Sequence, residues 1–400
     1  MNKTICVIGL GYIGLPTASL LGTKGYRVTG VDTSSRVVKT INDGNVHIVE
    51  PDLDILVKSA VQSGHLRAVS KPEPADVYII AVPTPLAADT KRPDVSYVEA
   101  AARSIAPLVG PGDLVLLEST VPVGTTEGVV LPILRAEARD GGRGVHLAHC
   151  PERVLPGRVL AELVDNDRII GGVDAASADA AAAFYNEFVS GQVYKTDAAT
   201  AEMAKLAENT FRDVNIALAN ELSIICDQHG VNPWAMIELA NRHPRVDILQ
   251  PGPGVGGHCI AVDPWFIADS APADARLIRT AREVNDGKPD WVLAKVRDAV
   301  AGMASPVIAC LGLAFKADVD DLRGSPALDI VRQLAEEGIA RIVVCEPNLT
   351  AHPDLQLEPL ASALAQANVV LLLVDHKPFR DLTLDQLEGK IVIDTRGVIR

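Results

Sequence analysis

Thr4-Ile5-Cys6-Val7-Ile8-Gly9-Leu10-Gly11-Tyr12-Ile13-Gly14 decides the fold of this 400-residue chain. A short run rich in β-branched residues suits a buried strand, and glycines at GxGxxG spacing predict a tight turn that opens a helix. Backbone N–H groups at such a helix start, with the helix dipole, receive a pyrophosphate. The 31 glycines in the chain make one such match by chance roughly a one-in-five event, so context decides. The next strand, 27–31, ends at Asp32, 18 residues after Gly14. A carboxylate there bonds an adenosine ribose and repels a 2′-phosphate, which favours NAD over NADP. Arg36 either accepts such a phosphate or covers the adenine.

Working outward, residues 4–9, 27–31, 77–82, 114–117, 145–148 and 168–170 alternate with Ala/Leu-rich segments, the pattern of a parallel sheet with crossover helices. From 197 to 230 the apolar positions fall three or four apart (Met203, Leu206, Thr210, Val214, Leu218, Leu222, Ile225). That periodicity predicts a helix roughly 50 Å long. It exceeds one small domain, so it is expected to join two domains and to offer a subunit interface. After Pro289 the alternation resumes at 307–313, 341–345, 368–374 and 390–394, with a helical segment at 327–337. The expected fold is α/β: two Rossmann-like doubly wound parallel-sheet domains joined by a long central helix.

Composition narrows the function. Thirty-seven Lys and Arg against 51 Asp and Glu give a net charge of −14, which opposes broad contact with nucleic acid or anionic lipid. With 48% hydrophobic residues and a mean hydropathy of +0.19, the chain can bury cores, and disorder is excluded. Six cysteines without a CxxC pair suggest neither a disulfide framework nor a Cys-rich zinc site. His146, His149 and Cys150 lack a further ligand pair at metal spacing, so no metal is expected. The longest late apolar run, 369–374, is far short of the roughly 20 residues of a membrane helix. With no signal-peptide pattern, a cytoplasmic protein is expected.

Three further stretches carry candidate chemistry. Val255-Gly256-Gly257-His258-Cys259 follows Gln250-Pro251-Gly252-Pro253-Gly254, a loop whose backbone can approach a ligand closely. Its thiol is either a nucleophile activated by His258 or another cation, with Asp263 as acid or base, or a small buried apolar side chain. Lys205 and Asn209 share a helix face, where they either stabilise a developing alkoxide or face solvent. Lys316 and Arg323 follow the first strand of the second half, where ligands bind in doubly wound domains; they meet a diphosphate or are plain surface charge.

Taken in order, these motifs resemble the UDP-sugar 6-dehydrogenases, the family of UDP-glucose dehydrogenase, along essentially the whole chain. The family's GxGYxG appears as Gly9 to Gly14, STVPVGTT as Ser119 to Thr126, NPE as Cys150-Pro151-Glu152, KLxxN as Lys205 to Asn209, GGxC followed by Asp as Gly256 to Asp263, and FKxxxxDxRxSP as Phe315 to Pro326. The resemblance implies two successive NAD-dependent oxidations of the sugar C6 alcohol, with Cys259 holding a thiohemiacetal and then a thioester that water hydrolyses. It implies that Lys205 and Asn209 stabilise oxyanions, that Asp263 handles protons, that Glu152 serves thioester hydrolysis and that Thr120 orders the water. On the cofactor side it puts Gly9, Gly11, Tyr12, Ile13, Gly14, Asp32, Arg36, Thr84, Thr120 and Arg323. On the substrate side it puts Glu152, Arg153, Lys205, Asn209, His258, Lys316 and, at a shorter spacing to Cys259, Arg245, which resembles an arginine reaching the partner subunit's substrate. It also implies a homodimer, and residues 1–195 as NAD-binding domain, 196–300 as central helical linker and dimerisation domain, and 301–400 as UDP-sugar-binding domain.

One departure narrows the substrate. Where glucose-specific members read GGSCFPKD, this chain reads Gly256-Gly257-His258-Cys259-Ile260-Ala261-Val262-Asp263, losing the lysine before the aspartate. GGHC with VDP is similar to the branch that acts on UDP-N-acetylhexosamines, and the stretches 241–246, 251–266 and 276–288 resemble members taking UDP-N-acetylmannosamine. UDP-N-acetylglucosamine is the neighbouring alternative, and a non-catalytic NAD- or UDP-sugar-binding protein is the alternative of another class.

Overall fold

The computed structural model describes residues 3–87, 89–155 and 157–399, in two compact units, Met1–Ala207 and Glu208–Arg400. In the first, eight strands form one sheet: β1 (Thr4–Ile8), β2 (Arg27–Val31), β3 (Leu66–Val69), β4 (Val77–Ile80), β5 (Leu114–Leu117), β6 (His146–His149), β7 (Arg168–Gly172) and β8 (Val193–Asp197). Their order is β3-β2-β1-β4-β5-β6-β7-β8. β1 sends Ile5 and Val7 into the core on one face of the sheet and Cys6 and Ile8 into the core on the other. Burial on both faces is why it reads as a continuous apolar run.

The sheet departs from the expected parallel arrangement at one seam. β6 and β7 pair antiparallel, with Ala148 opposite Gly172. Among the described residues, the only helix in their connection is the seven-residue Val159–Asp165, about 10 Å long at 1.5 Å per residue. That is too short to carry the chain back across the sheet, so β7 starts at the end where β6 stops. The reversal brings Arg168 beside Glu152.

The second unit carries four parallel strands, β9 (Val307–Leu311), β10 (Arg341–Cys345), β11 (Val369–Leu372) and β12 (Ile391–Asp394), in the order β10-β9-β11-β12. Ile308 and Cys310 face the helices Arg276–Val300 and Pro326–Glu337 through Val292, Val296 and Ile330. Ala309 and Leu311 pack on the other side with Leu364 and Phe379. Ser325 caps the second of these helices, accepting from Leu328 N, and Gly338 ends it in the left-handed conformation, as glycine favours there. The expected long helix runs Ala198–Gln228, 31 residues. The strand alternation expected after Pro289 begins at β9, Pro289 itself lying inside the helix Arg276–Val300. Among the described residues, no helix is long and apolar enough to cross a membrane.

Candidate active site

The glycine turn after β1 is built for close approach. Gly9 has φ +91°, and a Cβ on it would lie 2.7 Å from the Ala81 carbonyl oxygen; one on Gly14 would lie 1.8 Å from the Gly9 oxygen. A Cβ on Gly11 would meet nothing within 4 Å beyond its chain neighbours, so two glycines close the turn and one leaves it open. At the end of β2, Asp32 Oδ1 accepts from Ser34 N at 2.8 Å and Oδ2 from Leu10 N at 3.2 Å, which ties the acid to the glycine turn. This donor set fits a dinucleotide: an open helix start for pyrophosphate and an anchored carboxylate for ribose. Tyr12 and Ile13 are half-buried at the turn, and Arg36 is exposed.

Thr84 and Thr120 meet at the carboxyl ends of β4 and β5, the Thr84 hydroxyl donating to the Thr120 carbonyl at 2.6 Å. The loop that follows is held by Glu202, whose carboxylate accepts from Gly124 N at 2.5 Å, Thr126 N at 2.8 Å and Thr126 Oγ1 at 2.6 Å. Sequence reasoning missed Glu202; nothing in its spacing links it to residues 119–126.

Glu152 sits in a buried charge cluster. Its Oε2 accepts from Arg168 Nη1 at 2.6 Å and its Oε1 from Arg153 N at 2.7 Å. Nearby, Tyr185 donates to Glu118 Oε1 at 2.7 Å. Burial first, and then the Glu152 charge, lifts the Glu118 carboxyl to about 7. His149, in the same interior, is pushed down to about 3 by burial. Arg153 donates from Nη1 to the Asp167 carbonyl at 3.2 Å. Glu118 and Arg168 were missed: Glu118 reads as the end of a strand, and Arg168 reaches Glu152 only through the antiparallel seam.

In the second unit, Cys259 is exposed whereas Cys6, Cys150, Cys226, Cys310 and Cys345 are buried. Burial raises Cys6 and Cys345 to about 11 and Cys310 to about 12. The Cys259 loop packs on the Phe315–Pro326 segment: a Cβ on Gly256 would lie 2.6 Å from the Gly324 oxygen, and Gly257, at φ +83°, donates its N–H to that oxygen at 3.3 Å. His258 lies 3.6 Å from Asp321 with its ring 5.9 Å from that of Phe315. Burial and then the Arg323 charge lower its pKa. Arg323 is itself paired with Asp321 through Nη2 at 2.6 Å and Nε at 2.9 Å.

Asp263 opens the helix Asp263–Ser270, its N–H donating to the Cys259 carbonyl at 2.8 Å. Its Oδ2 accepts from Asn209 Nδ2 at 2.6 Å. Two predicted side chains, Asp263 and Asn209, are thus brought together, one turn of main chain after Cys259. Lys205, 9% exposed, belongs to the first unit. Lys316 lines a small cavity at the carboxyl ends of β9 and β11 with Phe315, Asp375 and Arg396. Arg396, held by Asp375 at 2.9 Å, was missed, although its place just beyond β12 follows the rule that picked out Lys316. Arg245 lies exposed on the turn after the helix Pro233–Ala240, its N–H donating to His243 Nδ1 at 3.3 Å, outside this cluster.

A glycine turn with an anchored acid at the end of the next strand, together with a second, parallel α/β sheet, fits an NAD-dependent dehydrogenase of two Rossmann-like domains. The chain belongs to the UDP-glucose/GDP-mannose dehydrogenase family: residues 3–189 match its NAD binding domain, 199–287 its central domain and 309–400 its UDP binding domain. It is 57% identical to an NDP-N-acetyl-D-galactosaminuronic acid dehydrogenase of Ralstonia nicotianae, over 99% of this chain and 96% of that one. It is 52% identical to a UDP-N-acetyl-D-mannosamine dehydrogenase of Yersinia pestis, over 100% and 99%. Among solved structures it is similar to a UDP-N-acetyl-mannosamine dehydrogenase from S. aureus, with a TM-score of 0.91 and 41% identity, covering 100% of this chain and 96% of that one.

Proposed function

We propose that this enzyme oxidises the C6 alcohol of UDP-N-acetyl-D-mannosamine twice to give UDP-N-acetyl-D-mannosaminuronate, through a thiohemiacetal and a thioester on Cys259. The balanced reaction takes one alcohol, two NAD⁺ and one water to one carboxylate, two NADH and three protons. The observation that carries the reading is the exposure of Cys259 alone among six cysteines, on a loop joined through Asp263 to Asn209.

NAD, when bound, accepts a hydride in each oxidation; Gly9, Gly11, Tyr12, Ile13, Gly14, Asp32 and Arg36 would hold it, with Thr84, Thr120 and Arg323 on the same side. Asp263 takes the alcohol proton while Asn209 and Lys205 stabilise the oxyanion. The Cys259 sulfur then adds to the aldehyde carbon, so the half-oxidised sugar stays bound. After the second oxidation, Thr120 orders a water and Glu152, pinned by Arg168, serves its attack on the thioester, which frees the thiol and the acid. Arg153, His258, Lys316 and Arg245 are assigned to the UDP-sugar. We assign residues 1–195 to NAD, 196–300 to a helical dimerisation region and 301–400 to the UDP-sugar. The enzyme is read as a cytoplasmic homodimer that supplies an aminouronic acid to surface polysaccharide.

A second reading, a galacto-configured N-acetylhexosamine as substrate, is favoured by the 57% identical Ralstonia relative. Stereochemistry at one hydroxyl leaves buried polar partners unpaired in the wrong substrate, so preference is expected to be sharp. Side-by-side turnover of UDP-N-acetyl-mannosamine, -galactosamine and -glucosamine, counting NADH per sugar, decides. Two NADH per UDP-N-acetylmannosamine and poor use of the others supports the proposal; preference for another epimer moves the substrate, and no turnover of any overturns the reading.

A further inference from the structure

Within the second unit, two long helices share a buried polar chain that ends on the loop leading to Cys259. Asp213, Asn220 and Ser223 stand on the helix Ala198–Gln228, and Arg282, Asn285 and Lys288 on the helix Arg276–Val300; none is more than 6% exposed. Gly252 N–H donates to Asn220 Oδ1 at 2.8 Å, Asn220 Nδ2 to Asn285 Oδ1 at 2.9 Å, and Asn285 Nδ2 to Asp213 Oδ1 at 2.7 Å. Arg282 Nη1 closes the series on Asp213 at 2.5 Å. Beside it, Lys288 donates to Ser223 Oγ at 2.6 Å and rests 3.9 Å from the Trp291 ring.

Apolar side chains would join two helices with less desolvation. What a connected chain of donors adds is a single geometry, because each amide is oriented by the next. Gly252 lies between Pro251 and Pro253, neither of which has an N–H, so its amide is the donor through which this stretch can be pinned. Two more asparagines hold the segment before it: Leu249 N–H donates to Asn215 Oδ1 at 3.4 Å, and Asn241 exchanges both amide bonds with Ile248 at 2.8 and 2.9 Å.

We propose that Asn220 and Asn285 are positioning residues for Cys259. They set the register of the 250–259 loop against the helix that carries Asn209, so that thiol, Asp263 and Asn209 converge. The inference rests on the reading of Cys259 as nucleophile. A displacement of about 1 Å at such a group costs up to about 100-fold in rate, so the chain acts on kcat and on retention of the aldehyde, and leaves NAD binding alone.

The test is Asn220→Ala and, separately, Asn285→Ala in the full-length enzyme, with kcat, the KM for NAD and aldehyde captured by hydroxylamine measured together. The expected result is a fall in kcat of about tenfold or more, an unchanged KM for NAD and captured aldehyde where the unsubstituted enzyme releases none. A folded variant with kcat within about twofold of the unsubstituted enzyme, or one that loses rate without releasing aldehyde, overturns the proposal. Hydrogen exchange on the unsubstituted enzyme applies even if neither variant folds: the Gly252 amide is expected to exchange as slowly as the helix cores, and exchange at the rate of an open loop contradicts the inference. Cys259→Ala separates the two readings, since it removes acid formation and leaves Gly252 protection intact.

Discussion

Asn209 Nδ2 stands 2.6 Å from Asp263 Oδ2, across 54 residues of sequence, and Asp263 is 3% exposed. On the proposed mechanism this buried carboxylate is the proton acceptor and the amide on the long helix the donor to the alkoxide. Asp263→Asn keeps the shape and removes the acid. It is expected to lower kcat by roughly 100-fold or more with the KM for NAD unchanged. Combined with Asn209→Ala, the losses are expected to be non-additive by about 1 kcal/mol or more. Additive losses measured by NADH absorbance would show that the pair does not act as a unit.

Thiol reactivity follows exposure. Cys259 is open to solvent while burial lifts Cys6, Cys310 and Cys345, and only a thiolate reacts. Iodoacetamide at pH 7, followed by peptide mass spectrometry, is expected to modify Cys259 first and to abolish activity in step. Equal labelling of all six cysteines contradicts this.

Asp32 receives backbone donors from Leu10 and Ser34, which fixes its carboxylate beside the glycine turn; on the proposed reading it bonds the adenosine ribose and repels a 2′-phosphate. A hydrogen bond to a charged group is worth about 1.5–3 kcal/mol, or roughly tenfold to a hundredfold. Asp32→Asn is therefore expected to raise the KM for NAD by that factor and to narrow the preference over NADP. An unchanged NAD to NADP ratio of kcat/KM would remove Asp32 from cofactor selection.

Glu118 makes stability depend on pH. Its carboxyl is raised from 4.5 to about 7 in the fold, by burial and then by Glu152. A carboxyl with a higher pKa folded than unfolded contributes its stability fully below 4.5 and loses it as pH rises to about 7, up to about 3 kcal/mol. Glu118→Gln does not titrate. The Tm of that variant relative to the unsubstituted enzyme is expected to rise between pH 4.5 and 7 and to level off above. Parallel Tm profiles would mean Glu118 does not hold a proton.

How much of this was legible beforehand depended on whether a residue's partner is local. Gly9 to Gly14, Asp32, the 31-residue helix and the four late strands carry their geometry in spacing, and the sequence reading found each of them. Leu66–Val69 and Val193–Asp197 escaped it because edge strands are short and half-exposed. The antiparallel seam escaped because it depends on the length of one connecting helix. Glu202, Glu118 and Arg396 work through partners 76, 67 and 21 residues away, and no periodicity announces such pairs.

On the proposed mechanism the sulfur of Cys259 carries the sugar between its two oxidations. The most direct measurement is product analysis of Cys259→Ala with UDP-N-acetylmannosamine and NAD, beside intact-protein mass spectrometry of the unsubstituted enzyme quenched during turnover. No uronate is expected from the variant and, on the unsubstituted enzyme, an acyl adduct of the UDP-sugar is expected to map to Cys259. Uronate formed by Cys259→Ala at the unsubstituted rate, with no adduct on the intact thiol, would contradict it.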